Sequence, residues 1–137
     1  MRAVLLDTGP LAAYVNVTDQ FHTWAVAQFK ALEEPVLTCE PVWTEAAYLL
    51  RRRGGDPKVL WPILRSGAIQ IDFSLNADFE SVTALMGRYS DVPMSLADAC
   101  LVRMSEVKQD ACVFTTDRHF RRYRRFGRQV IPLLSPE

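Results

Sequence analysis

The stretch VLLDTGPLAAYV, residues 4–15, places an acidic side chain inside the most apolar part of the N-terminal region. Residues 2–6 are predicted to form a short buried strand, and a helix is predicted to begin at Gly9, with Pro10 in a tolerated first-turn position. Asp7 lies between these two elements. A charge buried there is costly unless something pairs with it. Asp7 is therefore expected either to cap the helix or to hold a cation.

The rest of the chain alternates between short apolar runs and helical segments. Further strands are predicted at 36–38, 68–73, 111–115 and 129–133. Helices are predicted after Asp19, from Pro41, after Asp56, within 76–89, after Ser95 and as one turn at 117–123. Strands that alternate with helices indicate a parallel sheet with helices on both faces. Without a linker or repeat, residues 1–137 are expected to form one α/β domain.

Composition and charge exclude several classes of protein. The three cysteines are far apart and form no C-x-x-C, and there are only two histidines, which argues against a disulfide framework or a structural zinc site. Three reduced and mostly buried thiols in a cytoplasmic protein are expected. No apolar run approaches the ~20 residues that cross a membrane, and Asp7 interrupts the first apolar run too early for a signal peptide.

Basic residues are concentrated in one segment although the formal net charge is +0. The segment RHFRRYRRFGR, residues 118–128, contains six arginines and no acid. Such a segment either binds phosphate groups or is solvated without a specific role. The aromatic residues within it, Phe120, Tyr123 and Phe126, are interpreted as packing rather than as base-stacking groups.

Three further acids lie where acids are unusual. Glu45 shares a helix face with apolar side chains, Asp98 lies one turn into an apolar helix, and Asp117 follows an apolar strand as Asp7 does. Taken singly, each has an ordinary explanation: a stem that reaches water, a favourable helix dipole, and a helix cap. Together they favour a ring of carboxylates at the carboxyl ends of the strands. The mutual repulsion of such a ring is offset by a hard divalent cation, Mg²⁺ or Mn²⁺.

Four segments carry a resemblance to a known family. They are LLDTGPLAAYV at the start, the helix around Glu45, MSLADA around Asp98 and FTTDRHF around Asp117. In order and spacing they resemble the PIN domain, and most closely the VapC-type ribonucleases of bacterial and archaeal toxin–antitoxin pairs. The resemblance implies a five-stranded parallel sheet between helices and an Mg²⁺- or Mn²⁺-dependent endoribonuclease. It also implies a homodimer held inactive by a small antitoxin.

The same resemblance assigns roles to residues. It makes Asp7, Glu45 and Asp98 the acidic core that binds metal, and Asp117 the fourth acid, which acts through water or a second metal. Thr8, Ser95 and Thr116 are candidates to orient these acids, although caps and turns explain them equally well. Five arginines are candidates for contacts with RNA: Arg118, Arg121, Arg122, Arg124 and Arg125.

The expected reaction is metal-assisted hydrolysis of an RNA phosphodiester, which needs no protein nucleophile and leaves a 5′-phosphate and a 3′-hydroxyl. One rival is an aspartyl-phosphate phosphatase with Asp7 as nucleophile. That chemistry requires a second acid two residues later, where this chain has Gly9. The other rival is a catalytically inactive PIN-fold module that binds RNA or a partner, against which the intact acids argue.

Overall fold

The central strand of the sheet is the apolar run that precedes Asp7. The computed structural model describes residues 2–136. Its strands are β1 (Val4–Leu6), β2 (Val36–Thr38), β3 (Ile69–Ile71), β4 (Cys112–Phe114), β5 (Arg124–Arg125), β6 (Gln129–Val130) and β7 (Leu133–Leu134). Five of them form one parallel sheet in the order β3-β2-β1-β4-β7. All three residues of β1 are fully buried, as expected for a parallel strand covered on both faces.

Helices surround this sheet. They are α1 (Thr8–Val15), α2 (His22–Ala31), α3 (Glu40–Arg52), α4 (Trp61–Ser66), α5 (Phe79–Arg88) and α6 (Leu96–Val107). Single turns of 3-10 helix occur at Pro57–Leu60 and Arg118–Arg121. Helix α1 packs against α2 and α3, whereas α5 packs against α6. The predicted α/β class with a five-stranded parallel sheet is therefore confirmed.

The C-terminal part of the chain differs from the prediction of one strand at 129–133. Gln129 and Val130 pair antiparallel with Arg124 and Arg125 in a separate hairpin, which turns through Phe126 and Gly127 with positive φ angles of 53° and 81°. The strand that joins the sheet is β7, which pairs with β4. The predicted extent was wrong because Pro132 lies between the two pairings, and a proline lacks the N–H group that a ladder needs.

The start of α2 also differs from the prediction that Asp19 caps this helix. The helix begins at His22, and its N-cap residue, Phe21, makes no side-chain capping bond. Asp19 instead accepts a hydrogen bond from the Phe21 N–H at 2.8 Å and pairs with Arg53 at 3.0 Å. The carboxylate therefore closes a turn ahead of the helix and ties this turn to the end of α3.

The topology brings the ends of β1 and β4 together. Leu6 is opposite Phe114 in the register, and the Asp7 N–H donates to the Phe114 carbonyl at 2.9 Å. Strand order reverses at β1, because β2 and β3 lie on one side of it and β4 and β7 on the other. Crevices form at the carboxyl ends of strands at such a reversal, and Asp7 and the residues after β4 lie at this point.

Candidate metal centre

Three aspartates from three elements meet at the carboxyl end of the sheet. Asp7 follows β1, Asp98 lies in the first turn of α6, and Asp117 follows β4. Each offers a carboxylate oxygen, and these oxygens all lie within 4.8 Å of one another. Asp7 and Asp98 are 5% and 7% exposed, whereas Asp117 is half-buried. The arrangement concentrates negative charge in a place with little access to water.

The carboxylate of Asp7 is held on both sides. One oxygen accepts from the Thr8 N–H at 2.8 Å, and the other accepts from the Thr115 hydroxyl at 2.6 Å. The same Thr115 hydroxyl accepts from the Asp117 N–H at 2.9 Å, so it links two of the three acids. Burial raises the pKa of Asp7 to about 7, because its effect exceeds that of the two hydrogen bonds, which lower the pKa; the charges of Asp98 and Asp117 add smaller increases.

Asp98 is oriented by the start of its own helix. Its N–H donates to the Ser95 hydroxyl at 3.1 Å, and its Oδ2 accepts from the Ser95 N–H at 3.3 Å, which completes a capping box. Oδ2 also accepts from the Tyr123 hydroxyl at 3.0 Å. Burial, opposed by these bonds, raises the pKa of Asp98. Within residues 2–136, the hydrogen bonds to this carboxylate go to Oδ2, which leaves Oδ1 for a ligand.

Tyr123 is a site residue that sequence reasoning missed. It is fully buried and packs edge-on against Tyr89 and Phe120, so the packing interpretation holds for its ring but omits its hydroxyl. Burial and the charge of Asp98 raise its pKa above the ordinary value, which keeps the hydroxyl a donor. The residue lies 25 positions from Asp98, and no local spacing rule connects the two.

Glu45 lies beside the three aspartates rather than among them. This half-buried side chain of α3 accepts a hydrogen bond from the Thr8 hydroxyl at 2.8 Å. Its charge is one of the smaller causes that raise the pKa of Asp98, after burial and the charge of Asp117. Thr8, the residue next to Asp7, thus connects Glu45 to the aspartate cluster.

The two threonines after β4 have different places. Thr115, which was not singled out from the sequence, makes both hydrogen bonds to the aspartates and is fully buried. The predicted Thr116 lies against α1, where a methyl group at Gly9 would overlap its hydroxyl. Side chains of a strand alternate between faces, so the register of β4 decides which threonine reaches the acids. A hydrogen-bonding threonine at this strand end was foreseeable, but its position was not.

The basic segment divides into two groups. Arg118, Arg121 and Arg122 are exposed, and the first two line a cavity of about 190 Å³ together with Asp117. Arg124 and Arg125 are half-buried and donate to carbonyl groups: Arg124 to those of Arg121 and Tyr123, and Arg125 to that of Ser105 at 2.9 Å. Arg118 and Arg121 therefore lie beside Asp117, whereas Arg125 fastens the chain to α6.

The donor set fits a hard divalent cation. Within residues 2–136, the ion pairs of lysine and arginine go to other acids, and the only basic group within ion-pair distance of the cluster is His119, whose Nδ1 lies 3.0 Å from an Asp117 oxygen. Clustered carboxylates that lack a lysine or arginine partner repel one another. Mg²⁺ and Mn²⁺ favour carboxylate oxygens, so Asp7, Asp98 and Asp117 are residues that could hold one of them.

Comparison with known proteins identifies the class. A profile of the PIN domain family matches residues 4–126, and the chain therefore belongs to the PIN domain family. Among solved structures, the fold is similar to that of VapC20 from Mycobacterium tuberculosis, a toxin that cleaves the sarcin–ricin loop. The two share 24% sequence identity with a TM-score of 0.73, over 83% of this chain and 91% of VapC20. No curated protein gave a significant sequence match.

These findings confirm the resemblance inferred from the sequence, and they agree with the observed sheet and helices. The match to the family profile includes Tyr123, because the profile ends at residue 126. A search of the described helices for membrane spans found none of sufficient length and apolar character.

Proposed function

We propose that this protein is a divalent-metal-dependent endoribonuclease that hydrolyses RNA phosphodiester bonds. The observation that carries the proposal is the group of three aspartates, two of them buried, whose oxygens lie within 4.8 Å of one another. Membership of the PIN domain family supports it. We assign Asp7, Asp98 and Asp117 to binding Mg²⁺ or Mn²⁺. Glu45 is assigned to the same acidic site through Thr8.

The metal would lower the pKa of water and stabilise negative charge on the phosphate. The protein's own contribution is to fix the acids before substrate arrives. Thr115 and Thr8 hold Asp7, and Ser95 and Tyr123 hold Asp98, each through a bond of 2.6 to 3.3 Å. Groups fixed in this way need no rearrangement during the reaction. Arg118, Arg121 and Arg122 add positive charge at the exposed side for an RNA backbone.

We further propose that the enzyme is the toxin of a toxin–antitoxin pair that acts in the cytoplasm as a homodimer. The fold shared with VapC20 supports this role. A toxin requires a small protein antitoxin, which a neighbouring reading frame would encode. The sarcin–ricin loop, which VapC20 cleaves, is therefore the first structured RNA to offer as a substrate, beside tRNA and mRNA.

The test is cleavage of RNA by purified protein with Mg²⁺ or Mn²⁺. We expect D7N and D98N to lower the cleavage rate about 100-fold or more, because each removes a charged ligand. Asp110→Asn is the matched control, since Asp110 is exposed and follows α6 at the other end of the molecule. Products should carry a 5′-phosphate and a 3′-hydroxyl. Wild-type rates for D7N or D98N would refute the site assignment.

A further inference from the structure

A cavity of about 480 Å³ adjoins the segments that carry Asp7 and Asp117 and has no role in the proposal above. Gly9 and Thr116 line it, and the adjacent residues in the chain are Thr8 and Asp117. Its other walls come from the loop between α1 and α2 and from the end of α3, with Leu49 and Arg53. The volume is typical of small-molecule sites, and Gly9 and Thr116 place the cavity against the two segments that carry Asp7 and Asp117.

The walls of this cavity are fixed. Both carboxylate oxygens of Asp19 are engaged, one by the Phe21 N–H at 2.8 Å and the other by Arg53 at 3.0 Å. The Asn16 side-chain oxygen accepts from the Thr18 N–H and hydroxyl at 3.1 and 2.8 Å. Glycine at position 9 is required beside Thr116 because a side chain there would overlap the Thr116 hydroxyl. The loop is therefore held in place by its own hydrogen bonds.

Groups that recognise nucleobases line the cavity and remain available. Within residues 2–136, neither the Gln20 amide nor the Asn16 amide nitrogen makes a hydrogen bond, and both residues line the cavity together with Phe21. Carboxamides pair with the edges of bases, and aromatic rings stack on their faces. Arg53 is neutralised by Asp19, so the cavity suits a neutral base better than a phosphate.

Positive charge lies in the neighbouring cavity instead. Arg118 and Arg121 line that second space together with Asp117, and Phe21 and Thr116 line both spaces. An RNA strand that crosses Thr116 would thus have cations on one side for its backbone and the carboxamides on the other for a base.

We propose that the cavity formed by Gly9, Asn16, Gln20 and Phe21 binds one unstacked nucleobase of the RNA, next to the bond that is cut. The inference rests on the proposed nuclease function and makes its substrate more specific: a single-stranded or looped segment with a preferred base beside the cut. Phe21 provides the stacking surface, and Gln20 and Asn16 read the base edge.

The test is to map cut sites in a pool of RNA with randomised sequence, incubated with Mn²⁺. Wild type should prefer one base at a fixed position beside the cut. Gln20→Ala should weaken this preference about fivefold, the value of one hydrogen bond, and Phe21→Leu about fivefold or more through lost stacking. Total cleavage is recorded separately from the preference.

Matched controls are Gln109→Ala and Phe79→Leu, which change exposed residues of the same types outside the cavity. Both should retain the wild-type preference. If RNA is cut but Gln20→Ala and Phe21→Leu leave the base preference unchanged, the proposed base site is refuted, whereas the proposed nuclease function is not. A cavity that binds a protein partner instead of a base would give this result. If wild type cuts no RNA with either metal, both proposals fail. Since Gln20 is exposed, its variant should fold even if Phe21→Leu does not.

Discussion

At the scale of single residues, the Tyr123 side chain contacts the carboxylate of Asp98, although the two residues are far apart in the sequence. Its hydroxyl donates to Asp98 Oδ2, and burial keeps that hydroxyl protonated through its raised pKa. Partners of metal ligands orient them and are costly to remove. In the proposed metal site, Tyr123 is therefore a positioning residue rather than a ligand.

We expect Tyr123→Phe to weaken Mn²⁺ binding about 10-fold, because Asp98 loses the donor that holds Oδ2. Tyr89→Phe is the matched control: it removes a hydroxyl from the same aromatic cluster, but that hydroxyl accepts from the Arg124 N–H and, within residues 2–136, makes no hydrogen bond to a carboxylate. Both variants should lose about 1 kcal/mol of stability. Calorimetric titration of Mn²⁺ into each variant measures the difference, and equal affinities would argue against the positioning role.

At the scale of elements, the sequence predicted the main pieces because their signals are strong. Apolar runs predicted β1, β2 and β4, and the SLADA segment predicted the start of α6, where Ser95 does cap the helix. The two-residue strands at the C-terminus could not be assigned, since so short a run has no periodicity to separate a hairpin from a sheet edge. The choice between Thr115 and Thr116 depended on strand register, which is a property of the pairing of β4 with β1.

The packing of α1 against the end of β4 gives a prediction about Gly9. A methyl group there would overlap the Thr116 hydroxyl, so Gly9→Ala should cost about 1–3 kcal/mol of unfolding free energy. Thr116→Ala removes the obstructing hydroxyl, and the double variant should recover most of the loss. A double-mutant cycle by urea denaturation measures the coupling. If the effects of the two substitutions on the free energy of unfolding simply add, the contact between position 9 and the Thr116 hydroxyl does not limit how closely α1 approaches the end of β4.

At the scale of the whole molecule, the acid cluster links stability to pH. Burial raises the pKa of Asp7 from 3.8 to about 7. Between these values the unfolded chain has released its proton while the folded chain retains it, so metal-free protein loses stability as pH rises from about 4 to 7. The contribution of this group is complete below the unfolded pKa and is lost above the folded one.

We expect the melting temperature of wild type without metal to fall over this pH range relative to that of D7N, which has no proton to lose at position 7. Added Mn²⁺ should raise the melting temperature of wild type more at higher pH, because a ligand of the folded state stabilises it by mass action and the acids must be ionised to bind. Melting curves with and without Mn²⁺ measure both effects. If the melting temperatures of wild type and D7N change with pH in parallel, the raised pKa does not belong to Asp7.

The order of strands has a consequence for synthesis on the ribosome. β1 emerges first, but its neighbour β4 and the hydrogen bond from Thr115 to Asp7 span 108 residues of sequence, and Tyr123 comes later still. Chains emerge from the N-terminus, so a nascent chain exposes Asp7 long before Thr115, Asp117 and Tyr123 arrive to complete the cluster. On the proposed function, a chain with this strand order acquires its nuclease activity only when almost all of it has left the ribosome.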